Sequence, residues 1–196
     1  MLDQFILPLI AFAFVTSITP GPNNLMLMAS GANFGFARTV PHMLGVSLGF
    51  VFMASLLGMG LAQAFETLPV LHTVLKVLSA IYMFWLAWKI ANSRPPEESE
   101  TEGKPLTFLQ AAGFQWVNPK VWAMALTALT IYTPDDAFLS VILVAIVFGL
   151  INFPTVSAWV LLGQQMRRVL TNQRRLTVFN RTMAVLLIAS LYPVLL

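Results

Sequence analysis

Long apolar stretches separated by short polar segments are the dominant pattern of this sequence. Residues 4 to 37 include no charged side chain over 34 consecutive positions, whereas about 20 apolar residues already cross a bilayer core. Hydropathy and the gaps between charges predict six membrane-spanning helices. They cover residues 5–28 with an extension to 36, 41–65, 70–90, 108–132, 137–162 and 176–196. The predicted fold class is an all-α polytopic membrane protein.

Two of the predicted spans contain helix-breaking residues at membrane depth. The first contains the string Thr19-Pro20-Gly21-Pro22-Asn23-Asn24, and the fourth contains Asn118-Pro119-Lys120. A proline lacks the backbone N–H, frees a carbonyl one turn earlier and disfavours helix at the preceding residue. Inside a bilayer, freed polar groups are tolerated only when they are buried in protein or line a wet cavity. The two breaks therefore predict a polar cavity that binds or transports a solute.

Basic residues lie in alternate loops between the predicted spans. One set of loops carries nine of them, namely Arg38, Lys89, Arg94, Lys104, Arg167, Arg168, Arg174, Arg175 and Arg181. The other loops carry Glu66, Asp135 and Asp136 but no Lys or Arg, and Lys76 and Lys120 fall within spans. Because basic loops stay on the cytoplasmic side of a membrane, both chain termini are predicted to lie outside.

A polar, proline-containing and acid-rich segment at residues 94–105 predicts a flexible cytoplasmic linker. It divides the chain into residues 1–93 and 106–196, each with three predicted spans. Because three is odd, the two halves have opposite orientations, which is the arrangement of a 3+3 inverted-topology repeat. The broken helices, one and four, occupy matching places in the two halves. Such paired breaks indicate the central site of a transporter.

Nine residues at or near these interruptions form the candidate substrate site. They are Pro20, Gly21, Pro22, Asn23, Asn24, Asn118, Pro119, Lys120 and Asn152. The asparagines contact a small polar solute or cap the broken helices, and the two roles are compatible. Asn152, close to Pro154 in the fifth span, fits either cavity lining or helix packing.

Lys120 is the charged residue nearest to the middle of a predicted span. It lies about 18 Å along the fourth span from residue 108, at about 1.5 Å per residue. An ammonium group at the bilayer centre costs on the order of 2.5–3.5 kcal/mol or more, so it needs a partner. That partner is a substrate carboxylate or the carbonyls freed at the breaks. The alternative is that its long stem lets it snorkel to the inner surface.

Composition narrows the function classes. The chain has 58% hydrophobic and 10% charged residues, whereas soluble domains have about 25% charged residues. It has no cysteine, hence no disulfide or thiolate metal site, and its net charge of +3 does not indicate nucleic-acid binding. It also shows no phosphate-binding loop and no nucleophile with a base. The sequence therefore predicts neither an enzyme nor a resident metal or cofactor.

Four strings resemble motifs of the LysE/RhtB family of bacterial amino-acid exporters. They are Ile18-Thr19-Pro20-Gly21-Pro22-Asn23-Asn24, Gly45-Val46-Ser47-Leu48-Gly49-Phe50, Tyr82 with Trp85-Leu86-Ala87-Trp88-Lys89, and Gln115 with Asn118-Pro119-Lys120. Within the family, the first and third strings are most similar to the cysteine/O-acetylserine efflux branch. The resemblance implies export of small neutral amino acids, cysteine/O-acetylserine or homoserine/threonine-like, across the bacterial inner membrane by proton antiport. It implies an amino-acid substrate and membrane lipid as partners, and leaves a homodimer open.

One position departs from the family pattern. Many relatives carry Asp directly after Pro-Gly-Pro, whereas this chain has Asn23, which cannot titrate. A proton would therefore use another group or the ionisation of the zwitterionic substrate. Two rival functions remain, a transporter of another small solute such as a metal ion and a non-transporting membrane scaffold or sensor. Scarce carboxylates and absent cysteine argue against a divalent metal, and the paired breaks argue against a scaffold.

Overall fold

The computed structural model describes residues 2–68, 70–93, 104–133, 138–170 and 172–192. Within these residues the secondary structure is helical and contains no strand. The elements are α1 (Leu2–Ile18), α2 (Pro22–Phe34), α3 (Phe36–Leu56), a π-helical turn (Leu57–Leu61), α4 (Ala62–Thr67), α5 (Val70–Ala91), α6 (Phe108–Gln115), α7 (Pro119–Tyr132), α8 (Phe138–Arg167) and α9 (Gln173–Ala189). The predicted all-α class is confirmed for the described part of the chain.

Several of these helices are long and apolar enough to cross a membrane. Three qualify singly by length and composition, namely Phe36–Leu61, Thr73–Ala91 and Phe138–Arg167, with 26, 19 and 30 residues. A fourth is formed if Phe5–Ile18 and Pro22–Phe34 count as one span, which is bent by 57° at its break. The α6–α7 pair and the 17-residue α9 are not among these spans. The fold is that of a polytopic membrane protein, and the number six stays a prediction.

Both predicted interruptions are present, and the local sequence explains each one. Helix α1 ends at Ile18, and α2 begins with Pro22 in its first turn, where a missing N–H leaves no hydrogen bond unmade. Helix α7 likewise begins at Pro119, and the Asn118 side chain accepts a hydrogen bond from Lys120 N at 3.2 Å. A Thr107–Gln110 capping box starts α6.

Helix α8 is the centre of the bundle, since it packs against α1, α2 and α3. Its contact with α2 is a backbone contact, made possible by two glycines. A Cβ on Gly163 would lie 2.0 Å from Met28 O, and one on Gly31 would lie 2.2 Å from Val160 O. Small residues allow such close approach between membrane helices. Helix α3 also packs on α6, and α5 packs on α9.

Several predicted boundaries were wrong. Helix α3 begins at Phe36 rather than 41, because Pro41 is tolerated inside it. The second predicted span is also interrupted by the π-helical turn, where Gly60 has a φ of 113°, a conformation that glycine adopts readily. Helix α8 continues through Pro154 to Arg167, beyond the predicted end at 162. Residues 94–103 of the predicted linker and residues 193–196 of the sixth span lie outside the described residues.

Basic residues from three predicted inner loops lie at one end of the bundle. Arg38, Arg167 and Arg168 line one cleft together with Phe34. Phe34 also lines a neighbouring cavity, whose other residues include Lys89 and Lys104. The charge pattern in the sequence thus corresponds to a basic end of the folded molecule, and the side of the membrane on which this end lies stays a prediction.

Candidate functional site

The two helix breaks meet through Lys120. Its Nζ donates hydrogen bonds to Thr19 O at 2.7 Å and to Thr19 Oγ1 at 2.9 Å, and it lies 3.4 Å from Pro20 O. The side chain therefore crosses from the start of α7 to the gap between α1 and α2. It bonds to the first break, as one of the two predicted roles of Lys120 requires, and does not snorkel away from it. These uncharged oxygens satisfy the hydrogen-bond donors of the ammonium group but do not neutralise its charge.

The carbonyls freed at the first break accept hydrogen bonds from side chains. Asn24 Nδ2 donates to Ser17 O and to Thr19 O, each at 2.8 Å. Trp159 Nε1 of α8 donates to Ile18 O at 3.1 Å. Together with Lys120, these groups provide partners for four consecutive carbonyls, from Ser17 to Pro20. The bend thus avoids the cost of leaving polar backbone unpaired in an apolar environment.

A reciprocal amide pair joins α2 to the end of α6. Asn23 Nδ2 donates to Gln115 Oε1 at 2.8 Å, and Gln115 Nε2 donates back to Asn23 Oδ1 at 3.3 Å. Gln115 Nε2 also donates to Ala111 O at 2.7 Å, and its side chain is fully buried. Two uncharged side chains thus hold Asn23, the residue after Pro-Gly-Pro, against the second break.

Asn152 of α8 connects the fifth predicted span to both the first and the second. It accepts a hydrogen bond from Ser47 Oγ at 2.9 Å, and its Nδ2 donates to Ser17 Oγ at 3.3 Å. Asn152 is 6% exposed and, like residues from both breaks, it lines a small cavity between the helices. Its two predicted roles, cavity lining and helix packing, therefore occur together.

These side chains surround a small polar cavity between the breaks. It is lined by Thr16, Ser17, Gly21, Asn23, Asn24, Phe50, Gln115, Asn118, Lys120, Val121, Met124 and Asn152. Its volume of about 20 Å³ is enough for about one water molecule. Lys120 is the one charged side chain in this lining of described residues, so the cavity is cationic.

The structure brings six of the nine predicted site residues to this cavity. Pro20, Pro22 and Pro119 are not part of its lining; they shape the backbone, and Pro20 O faces Lys120. Gly21 has an extended φ of −172°, which any residue can adopt, so its role is to leave room. A Cβ at Gly21 would lie 2.7 Å from Lys120 Cδ.

Several residues that line the cavity, or that bond to the groups around it, were not predicted from the sequence. Ser17, one residue before the end of α1, and Ser47 are small hydroxyl residues in apolar spans, and that polarity was the available signal. The role of Trp159 could not be predicted, because tryptophan is common in membrane helices. Only the fold shows that its indole N–H donates to the freed Ile18 carbonyl. Phe50, Val121 and Met124 contribute the apolar wall.

Comparisons with known proteins now identify the family. A family model described as LysE type translocator matches residues 14–190. The chain is 33% identical over 167 residues to a cysteine/O-acetylserine efflux protein of Salmonella paratyphi A, which covers 84% of this chain and 85% of the relative.

A cysteine/O-acetylserine efflux protein of Escherichia coli (strain K12) is 32% identical over 180 residues, 90% of each chain. This chain belongs to the LysE type translocator family. As a LysE type translocator it is a multi-pass membrane transporter and not an enzyme. No solved structure matches it significantly.

Proposed function

We propose that this translocator exports small neutral amino acids across the bacterial inner membrane, with the cavity between the two helix breaks as its substrate site. The observation that carries the proposal is the bonding of Lys120 to the Thr19 and Pro20 carbonyls. A cation and a set of carbonyl oxygens stand next to each other, and a zwitterionic amino acid has the complementary pair of charged groups. The similarity to cysteine/O-acetylserine efflux proteins supports the same substrate class.

Substrate binding in this proposal is an exchange of partners. The α-carboxylate of the amino acid accepts hydrogen bonds from Lys120 Nζ, which leaves Thr19 O and Pro20 O. The α-ammonium group of the substrate then donates to those carbonyls and to the Asn23 amide oxygen. Each polar group of the resting site therefore keeps a partner in the bound state, so that no buried charge is left unpaired.

The site must open for this exchange to occur. A cavity of about 20 Å³ has room for about one water molecule and not for an amino acid. Moving α1–α2 away from α6–α7 would separate Lys120 from Thr19 and enlarge the cavity. Rocking of one half of the chain against the other is such a motion, and it would expose the site to the two membrane faces in turn.

The proposed frame for this motion is a six-span 3+3 inverted repeat, residues 1–93 and 106–196, joined by a cytoplasmic linker at 94–105, with both termini outside. One packing relation supports it. The first part of each broken helix packs on the long helix of the other half, α1 on α8 and α6 on α3. A twofold relation between the halves would produce that pairing. The binding roles of Pro20, Gly21, Pro22, Asn23, Asn24, Asn118, Pro119, Lys120 and Asn152 belong to the same proposal.

Proton antiport would drive the export. No carboxylate lines the central cavity among the described residues. Asn23 has its amide paired with Gln115 and cannot take up a proton. The proton therefore moves on another group or through the ionisation of the substrate itself.

Export from proteoliposomes loaded with O-acetyl-L-serine, cysteine or threonine tests the proposal. Lys120→Met removes the cation and is expected to reduce export at least about tenfold, because a charged hydrogen bond of the bound state is lost. Asn23→Ala is expected to weaken substrate affinity by a smaller factor. The matched control is Lys76→Met, which removes an exposed lysine of α5 that does not line the cavity.

Intact export and affinity in both Lys120→Met and Asn23→Ala would refute the site. Competition by divalent cations in place of amino acids would favour a metal transporter. A purified protein that neither moves nor is stabilised by any of these solutes would favour the scaffold, since ligands that bind only the folded form raise its apparent stability.

A further inference from the structure

A second cavity lies at the basic end of the bundle, separate from the helix breaks. It has a volume of about 40 Å³, room for a few water molecules. Helices α2, α3 and α5 and the segment before α6 line it, mostly with apolar side chains. Its polar members are Ser30, His42, Lys89, Ser93 and Lys104, and none of them belongs to the central site.

His42 of α3 is the unexplained group in this cavity. Its side chain is 1% exposed. Neither Nδ1 nor Nε2 has a hydrogen-bond partner among the described residues. Buried polar groups are nearly always hydrogen-bonded, because an unpaired one destabilises the fold. An unpaired buried group therefore needs an explanation, such as a ligand that binds to it.

The charged groups that line the cavity are all basic. Lys89 comes from α5, and Lys104, an exposed residue, comes from the segment before α6. Helix α2 contributes the hydroxyl of Ser30 but no charge, and Arg38 of α3 lies 5.9 Å from the Phe34 ring. No carboxylate of the described residues lines the cavity. The complementary ligand is therefore an anion with hydrogen-bond acceptors.

We propose that this cavity binds the carboxylate of the exported amino acid as it enters from the basic end of the molecule. His42 donates one ring N–H to the carboxylate, while Lys89 and Lys104 supply positive charge. The apolar walls, including Met26 and Leu86, accommodate a short aliphatic chain. This entry site rests on the proposed function and adds to it a first binding position before the central cavity.

Helix α2 connects the entry cavity with the central cavity. Asn24 lines the central cavity and Ser30 lines the entry cavity. Six residues separate them, which corresponds to about 9 Å along a helix. The two cavities thus lie along the same helix, less than two turns apart.

Binding of propionate to the detergent-purified full chain, measured by calorimetry, tests the entry site. Propionate has a carboxylate but no ammonium group, and propionamide is its neutral counterpart of nearly the same size. The wild type is expected to bind propionate and not propionamide. Lys89→Gln with Lys104→Gln is expected to weaken propionate binding at least about tenfold. Lys76→Gln, an exposed lysine on α5 outside the cavity, is the control that should change nothing.

Two variants of His42 separate ligand binding from packing. His42→Leu removes the donor and the unpaired buried group together, so it is expected to lose propionate binding while raising the melting temperature. His42→Gln keeps an N–H donor and is expected to retain part of the binding. A packing role alone would leave propionate affinity unchanged in both variants.

The possible outcomes distinguish the entry site from the proposed function. Failure of the wild type to bind propionate, or unchanged binding in the double lysine variant and in His42→Leu, would overturn the entry site even if export is normal. Binding lost in those variants would support it. Propionate binding that depends on these residues in a protein without amino-acid export would instead refute the proposed function and leave an anion site.

Discussion

The two helix breaks differ in where their polar groups find partners. At the first break, the carbonyls from Ser17 to Pro20 depend on side chains from α2, α7 and α8. At the second, the chain satisfies itself, since Val117 N donates to Phe114 O and Asn118 N donates to Gln115 O, at 3.1 and 3.3 Å. The first break is therefore open and held by tertiary contacts, whereas the second is a compact local turn.

This difference assigns separate tasks to the two breaks. A turn that closes on itself can present Lys120 at a stable position, at the start of α7. A break whose carbonyls are held by other helices can release them when those helices move. In the proposed export cycle the second break thus supplies a fixed cation, and the first supplies oxygens that change partners.

The largest contrast is expected between a glycine that packs against the first broken helix and one in the second. Gly163→Ala places a Cβ 2.0 Å from Met28 O and should destabilise the α2–α8 contact by about 1–3 kcal/mol or more. Gly113→Ala in α6 has open space around it and should stabilise by about 0.5–1 kcal/mol. Thermal unfolding in detergent measures both. Equal effects would show that α2 is not held by α8.

The asparagines of the two breaks should rank next. Asn24→Ala leaves Ser17 O without its partner and should cost about 1–3 kcal/mol of unfolding free energy. Asn118→Ala removes only the cap of α7 and should cost about 1 kcal/mol. The same unfolding assay compares them. A larger loss in Asn118→Ala would reverse the distinction between an open and a self-contained break.

Two tryptophans allow a matched comparison with a smaller effect. Trp159 Nε1 donates to Ile18 O across 141 positions, and Trp122 Nε1 donates to Trp116 O across six. Replacing either with Phe should cost about 1 kcal/mol of stability. Export should fall further in Trp159→Phe, because that bond joins α8 to the open break. Identical export in the two variants would contradict this assignment.

Gly21→Ala should have the smallest effect on stability, about 0.5 kcal/mol or less, since its backbone is extended and the clash is with a flexible lysine stem. Its Cβ would nevertheless move Lys120 away from Thr19. We expect a changed substrate affinity at nearly unchanged melting temperature, measured by export at several substrate concentrations. Unchanged affinity would show that the Lys120 position is not critical.

Local chemistry explains which features were predictable from the sequence. Pro20, Pro22 and Pro119 remove backbone donors wherever they occur, so the end of α1 at Ile18 and the start of α7 follow from the residues themselves. The boundary predicted at Pro41 was mistaken for the same reason, because a proline is tolerated in a helix of a membrane protein when other groups provide for the freed carbonyl.

By itself the sequence determined the all-α membrane class, the two interruptions and the set of polar residues around them, because hydropathy and proline act over a few positions. Only the tertiary structure decided that Lys120 bonds to Thr19, a residue 101 positions away, and that Asn23 pairs with Gln115. It also decided that His42 is buried without a partner among the described residues. Hydrogen-bond partners depend on which helices pack together, and contacts such as that of Gly163 with Met28 set that packing.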